Sequence, residues 1–174
     1  EVIIVDNGSH DGTMEEASRV AEQAAATIKV VKELQVGSYA ARNKGVAEAN
    51  GEILAFTDSD CVPTPTWLEK GVASLNGSTA DGAAGRVEFT FIGAKANAFE
   101  YVDSVNKLAQ ETYVTKLGFA ATANFFVRKH VVDELGGFDS SLRSGGDYEF
   151  GQRLTGSGRK LIYAADATVQ HPAR

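Results

Sequence analysis

Gly51-Glu52-Ile53-Leu54-Ala55-Phe56-Thr57-Asp58-Ser59-Asp60-Cys61 is the stretch whose reading decides the fold. Residues 53–56 form a short unbroken apolar run, which suits a strand covered on both faces in an α/β sheet. At its C-terminal end the run breaks into two carboxylates, Asp58 and Asp60. Side chains at i and i+2 of extended backbone point to one side, so both carboxylates can face a single ligand. Ligands of open α/β sheets bind beyond the carboxyl ends of the strands. Two hard oxygen donors there suit Mg²⁺ or Mn²⁺, which keeps most of its shell from water and phosphate. The competing role is a turn, in which both side chains hydrogen-bond locally ahead of Pro63. Asp-x-Asp alone does not choose between the two.

The 174 residues, 43% of them hydrophobic, can bury one sizeable core and are most simply one domain. A formal charge of −6 gives no general attraction to nucleic acid or anionic lipid, so a phosphate ligand needs a local device such as a metal. The single cysteine, Cys61, cannot form an internal disulfide, which fits a reducing compartment and a cytoplasmic location. These residues show no signal-peptide pattern and no apolar run of transmembrane length. Attachment at the cytoplasmic face of a membrane would fall to parts outside these residues. The chain opens on Glu1-Val2-Ile3-Ile4-Val5-Asp6, already inside a strand, and is therefore expected to be N-terminally truncated.

Residues 2–5 read as a buried strand ending in the turn formers Asp6-Asn7-Gly8-Ser9, with a helix over 14–26. A carboxylate at a strand tip can accept hydrogen bonds from a base or sugar, so Asp6 is a nucleotide-contact candidate. Spacing alone slightly favours a turn-organising role for it. A second strand over 28–31 and a helix over 39–49 follow. Arg42 lies in the first turns of that helix, where the dipole disfavours cations, so it is either a solvated charge or is held for an anion or a base edge. The succession strand, helix, strand, helix, strand predicts a parallel α/β sheet.

Beyond Cys61, Thr64 and Pro65 suggest the start of a helix, and Trp67 reads as a packing anchor. A half-exposed strand is expected over 86–91 and an amphipathic helix over 96–116. Residues 120–127 are apolar except for Thr122 and Asn124. A short helix over 130–135, the turn Gly136-Gly137-Phe138-Asp139 and a helix opening at Asp147 come next. Spacing alone makes Asp147 a helix cap and Glu149–Arg153 an i,i+4 ion pair. The chain closes with strands at 160–163 and 167–170 and then His171, which on residue type alone is an exposed histidine with no task.

The motifs add up only as a set. Val-Ile-Ile-Val-Asp-Asn-Gly-Ser-x-Asp-Gly-Thr stands at 2–13, Ala-Arg-Asn-x-Gly at 41–45 and Gly-Glu-Ile-Leu-Ala-Phe-x-Asp-x-Asp at 51–60. Pro-x-Trp-Leu follows at 65–68, Gly-Gly-Phe-Asp at 136–139, Asp-x-Glu-Phe-x-x-Arg at 147–153 and Val-x-His at 169–171. In this order, over nearly the whole chain, they resemble the family 2 glycosyltransferases of the GT-A fold. The resemblance implies a Rossmann-like α/β domain with a mixed, mainly parallel sheet and helices on both faces. Residues 1–61 would be its nucleotide-binding half and 62–174 its acceptor-side half.

The resemblance also implies roles. Asp6 matches the acidic residue that reads the donor's base, usually uracil, and Arg42 a basic residue near the nucleotide. Asp58 matches the carboxylate toward ribose or sugar, and Asp60 the ligand of a Mn²⁺ or Mg²⁺ ion bridging the diphosphate. Asp147 matches the base that deprotonates an acceptor hydroxyl in an inverting transfer. His171 matches a histidine that approaches the metal or diphosphate. The implied partners are a nucleotide-diphospho-sugar donor, a UDP-sugar, and a carbohydrate, lipid-linked or other hydroxyl acceptor, with no nucleic acid.

The chain departs from the pattern in three places. Asp6-Asn7 stands where many relatives carry Asp-Asp, and Gly146-Asp147 where they carry Glu-Asp, which removes an acidic neighbour able to tune the base. The Gln-x-x-Arg-Trp motif of processive synthases is absent, so single transfers are expected. Relatives also begin with a further strand that occupies the middle of the sheet and ends in a Pro-x-Tyr-Asn-like segment contacting the nucleoside. A nucleotide-sugar-binding or partner-binding domain of this fold without turnover is the alternative function. A nicotinamide-dependent dehydrogenase is disfavoured, because no Gly-x-Gly-x-x-Gly follows the first strand.

Overall fold

A computed structural model describes residues 1–91 and 108–173. In chain order the elements are β1 (Val2–Asp6), α1 (Thr13–Gln23), β2 (Ile28–Lys32), α2 (Ser38–Glu48), β3 (Ile53–Thr57), β4 (Val62–Pro63) and α3 (Trp67–Asn76). Then come β5 (Gly82–Thr90), the single turn α4 (Gln110–Thr112) running into a π-helical turn (Tyr113–Leu117), β6 (Asn124–Arg128), α5 (Lys129–Glu134), α6 (Gly146–Gly156) and β7 (Leu161–Pro172). The helix expected over 96–116 falls largely outside the described residues. Of its described part, 110–117 is helical.

Two sheets form. β1 and β2 pair in parallel, and the second sheet runs β3-β6-β5-β7-β4. In the second sheet β5–β7 is parallel, whereas β3–β6, β5–β6 and β4–β7 are antiparallel. The mixed α/β architecture is the expected one, but parallel pairing does not dominate the second sheet. Helices link β4 to β5 and β6 to β7, but neither pair is adjacent in the sheet, so these connections impose no parallel pairing. Nor do β1, β2 and β3 form one continuous ladder: among the described residues β3 pairs only with β6.

The strand β6 shows why the apolar runs are unbroken. Alternation turns Phe125 and Val127 to one face, where they meet Leu54, Val131, Phe138, Phe150 and Leu154. Phe126 points to the other face, against Trp67, Leu75, Ala83 and Val169. Both faces are covered, so no residue of the strand core can be polar without a buried partner. Gly71 of α3 lies directly over the Phe126 ring, which a Cβ there would approach to 2.1 Å. Trp67 is 7% exposed and packs on Phe126 with ring centroids 5.1 Å apart, so it is the expected anchor.

Helix α3 begins at Trp67, later than Thr64 and Pro65 suggest. Thr64 is instead committed to β7, donating from its backbone N–H and its hydroxyl to the Thr168 carbonyl, both at 3.1 Å. The two closing strands are one element, because β7 stays paired with β5 across an irregularity at Gly85/Arg86 that skips residues 165–167. No helix among the described residues is long and apolar enough to cross a membrane.

Candidate active site

Topology brings the chemistry to one end of the second sheet. β3 and β6 are antiparallel with Thr57 opposite Asn124, so the C-terminal tip of β3 lies beside the residues that lead into β6. Asp58 and Asp60 occupy that tip, and Thr122 lies just ahead of β6. β4 pairs with β7 through Val62 and Gln170, which puts Cys61 and Asp60 next to His171.

Arg42 and Asp58 form an ion pair, Nη2 to Oδ1 at 3.1 Å. The guanidinium also lies over the Tyr39 ring, 5.3 Å from its centroid. Arg42, the fifth residue of α2, is thus held near the helix start by a carboxylate and an aromatic face, which offset the unfavourable dipole. It is not a solvated charge.

Asp147 is the second residue of α6, yet its carboxylate turns to Thr122 and not back onto its own helix. The Thr122 backbone N–H donates to Oδ2 at 3.2 Å, and the Thr122 hydroxyl lies 3.1 Å from Oδ1. Burial pushes the Asp147 carboxyl above the usual range, against the opposing pull of Arg42 and of the Thr122 hydrogen bonds, while the Asp58 carboxylate adds to the upward push. Asp147, Arg42 and Asp58 thus share one electrostatic neighbourhood. A half-buried carboxylate with a raised pKa, near an arginine and a second carboxylate, has the properties of a general base.

Gly146 explains one departure from the family pattern. Its backbone N–H donates to the Tyr39 hydroxyl at 2.8 Å, and a Cβ on it would approach the Tyr39 ring to 2.5 Å. The Tyr39 ring fills the space that a Glu at 146 would need. Gly146→Ala is expected to cost about 1–3 kcal/mol through overpacking, read as a lower Tm. An unchanged Tm would show that Tyr39 moves aside freely.

Asp60 meets His171, whose Nε2 is 3.7 Å from Oδ2 and whose side chain is only 14% exposed. The reading of His171 as an exposed side chain with no task is corrected by β7, which carries the ring into the fold against Phe89. His171 Nδ1 lies 2.8 Å from the Pro172 carbonyl, which can only accept. In the neutral ring that bond places the proton on Nδ1 and leaves the Nε2 lone pair on the Asp60 side, the orientation seen in metal-binding histidines. Ligand atoms of Asp60, Cys61 and His171 all lie within 4.8 Å of one another. A carboxylate and an imidazole beside open solvent fit Mn²⁺ or Mg²⁺ with substrate oxygens completing the shell.

Asp6 is 5% exposed and accepts hydrogen bonds from the backbone N–H groups of Gly8, at 3.2 Å, and Ser9, at 3.3 Å. Hydrogen bonding by the Ser9 side chain, joined by those N–H groups, holds its carboxyl below the usual range. The turn-organising role favoured by spacing is thus the one the structure shows. Asn7 accounts for the other departure. Its amide donates to the carbonyls of Glu33 and Gln35 and accepts from the Gly37 N–H at 2.7 Å, tying β1 to the loop before α2. An Asp at this position could not make the two donations.

Thr122, Tyr39 and Cys61 escaped the sequence reading. Thr122 left the clearest signal, as one of two polar residues in an apolar run. The remaining motif residues are clasps. Asn43 brackets Phe138 with two hydrogen bonds of 2.7 and 2.8 Å. Arg153 pairs with Glu149 and also donates to the Leu135 and Gly137 carbonyls.

Known proteins resemble this chain in sequence and in fold. The family model described as "Glycosyl transferase family 2" matches residues 1–136. The chain is 41% identical to glycosyltransferase AglE of Haloferax volcanii over 174 residues, all of this chain and 57% of that protein. It is 32% identical to the pre-mycofactocin glycosyltransferase of Mycobacterium tuberculosis over 143 residues, 79% of this chain and 30% of that one. It therefore spans little more than half of the first relative and less than a third of the second. Among solved structures, mannosyltransferase PcManGT from Pyrobaculum calidifontis in complex with GDP-Man and Mn²⁺ superposes with a TM-score of 0.77 at 23% identity, covering 98% of this chain and 47% of that one. GalNAc-T7 with UDP, GalNAc and Mn²⁺ gives 0.76 at 19% identity, covering 100% and 38%.

Proposed function

The chain belongs to glycosyltransferase family 2, and from that premise we propose that it is the donor- and metal-binding domain of an inverting transferase that moves a sugar from a nucleotide diphosphate to an acceptor hydroxyl. The observation that carries this reading is the position of Asp147. It is held on Thr122, in the electrostatic field of Arg42 and Asp58, and Thr122 leads into β6, the strand beside the β3 tip that carries Asp58 and Asp60. Residues 1–61 serve the nucleotide side and 62–174 the acceptor side.

Arg42 and Asp58 are assigned to the nucleotide and its sugar, and Asp6 to the base once its turn is engaged by ligand. Asp60 and His171 would hold Mn²⁺ or Mg²⁺, which when bound supplies charge compensation for the departing diphosphate. Asp147 takes the proton of the acceptor hydroxyl as that oxygen attacks the anomeric carbon opposite the leaving group, inverting its configuration. Each encounter makes a single transfer. The donor is proposed to be a UDP-sugar. Because PcManGT is described with GDP-Man and GalNAc-T7 with UDP, both nucleotides belong in the assay.

Titration calorimetry with UDP and GDP, with Mn²⁺ and with EDTA, tests the binding half. Asp60→Ala is expected to weaken Mn²⁺-dependent nucleotide binding by about tenfold or more, since even residues behind a metal ligand are worth that much. Equal affinity with and without metal, in wild type and variant, would remove Asp60 from the site. Nucleotide binding without any transfer or donor hydrolysis would identify a binding domain in place of an enzyme.

A further inference from the structure

The acidic tip carries a donor that the chemistry above does not use. Cys61 follows Asp60 directly, is half-buried, and has its sulfur in the same 4.8 Å cluster as the Asp60 carboxylate and a His171 ring nitrogen. Three protein ligands drawn from Asp, His and Cys, with one side left to solvent, form the donor set of a catalytic zinc-type site: three protein positions and one open position. In a tetrahedral shell with bonds of about 2.1 Å the ligand atoms stand about 3.4 Å apart. The Asp60 Oδ2 to His171 Nε2 separation of 3.7 Å is already near that value. The His171 Nδ1 contact with the Pro172 carbonyl is compatible with this arrangement, because an Nδ1–H donated there leaves Nε2 available to an ion.

We propose that Cys61 is a third protein ligand at this cation site, so that the site selects thiophilic divalent ions, Zn²⁺, Co²⁺ or Cd²⁺, over Mg²⁺ and Mn²⁺. This deepens the reading of Asp60 and His171 as metal ligands and rests on it. The preference follows from the donors. A thiolate adds little for hard Mg²⁺ or Mn²⁺, whereas sulfur and imidazole together favour the later, softer ions. On binding, the sulfur forms a bond to the ion and the thiol proton passes to solvent, so one proton leaves for each thiolate ligated.

The test is a Co²⁺ titration of the metal-free protein followed by absorption. Cys61 is the only cysteine in the 174 residues, so a near-ultraviolet sulfur-to-cobalt charge-transfer band that grows to one equivalent and disappears in Cys61→Ser identifies the ligand. Zn²⁺ affinity, read by competition against Co²⁺, is expected to fall by at least about tenfold in Cys61→Ser, with Mn²⁺ affinity unchanged. Co²⁺ uptake at Asp60 and His171 without that band, and equal Zn²⁺ affinity in the two proteins, would overturn the proposal. The wild-type spectrum decides the point even if the variant folds poorly. The two levels also separate: Mn²⁺-dependent nucleotide binding without the band removes Cys61 and keeps the transferase reading, whereas the band without nucleotide binding in any metal does the reverse.

Discussion

If the chain is the proposed transferase, Asp147→Asn is expected to lower the rate of transfer by about 10²–10⁴-fold, the usual worth of a positioned general base, and to leave metal-dependent nucleotide affinity unchanged. The separation is expected because the Asp147 carboxylate is engaged by Thr122, while the proposed cation ligands are Asp60 and His171. In the wild type the rate rises with pH as Asp147 deprotonates, and the midpoint of that limb lies above an ordinary carboxyl, because burial raises its pKa. The same shift fixes the sign of the stability effect. A carboxyl whose folded pKa is raised favours the folded state below its unfolded value, here 3.8, and that contribution is lost as pH rises through the folded value. At neutral pH the buried charge is therefore a net cost, and Asp147→Asn, which resembles the neutral form, should keep or raise Tm while slowing turnover to that extent. A fall in Tm with transfer retained would make Asp147 a structural residue and end its assignment as base.

The balance between legible and hidden features follows from sequence distance. Asp58 and Asp60 could be found because i and i+2 at the end of an apolar run is a local pattern. α2 and α6 could be placed because small residues and glycines mark their starts. The separation of β1 and β3 into different sheets carries no local signal, since each strand reads alike whatever lies beside it. The same holds for Tyr39 and Gly146, which are 107 positions apart and fit each other only in three dimensions. The family pattern located Asp147, but its environment had to come from coordinates. Thr122 and Asn124 are the intermediate case: two polar residues in an apolar strand announce that partners must exist, without naming them.

Asn124 shows what those partners are worth, and Asn124→Ala is expected to be the most destabilising single change proposed for this chain. The side chain is fully buried and uses both ends: Oδ1 accepts from the Trp67 indole N–H at 2.8 Å, and Nδ2 donates to the carbonyls of Arg86 and Ala167, each at 2.8 Å. The two carbonyls flank the irregularity where β5 and β7 change register, so no strand partner is available to take over. Truncation orphans three buried groups at about 1–3 kcal/mol each, and a total of at least about 3 kcal/mol is expected. In a domain of this size that lowers Tm by roughly 6–12 °C. The damage also reaches the site through Gln110, itself buried, which bonds the Asn124 carbonyl and both backbone groups of Ala121 and so holds the segment carrying Thr122 under Asp147. Asn124→Asp separates polarity from shape, because it keeps the acceptor for Trp67 but loses the donor to both carbonyls and buries a charge. It should be at least as damaging at neutral pH. A Tm within a degree or two of wild type for either variant, measured by scanning calorimetry, would mean that the β5–β7 irregularity is not stabilised by Asn124.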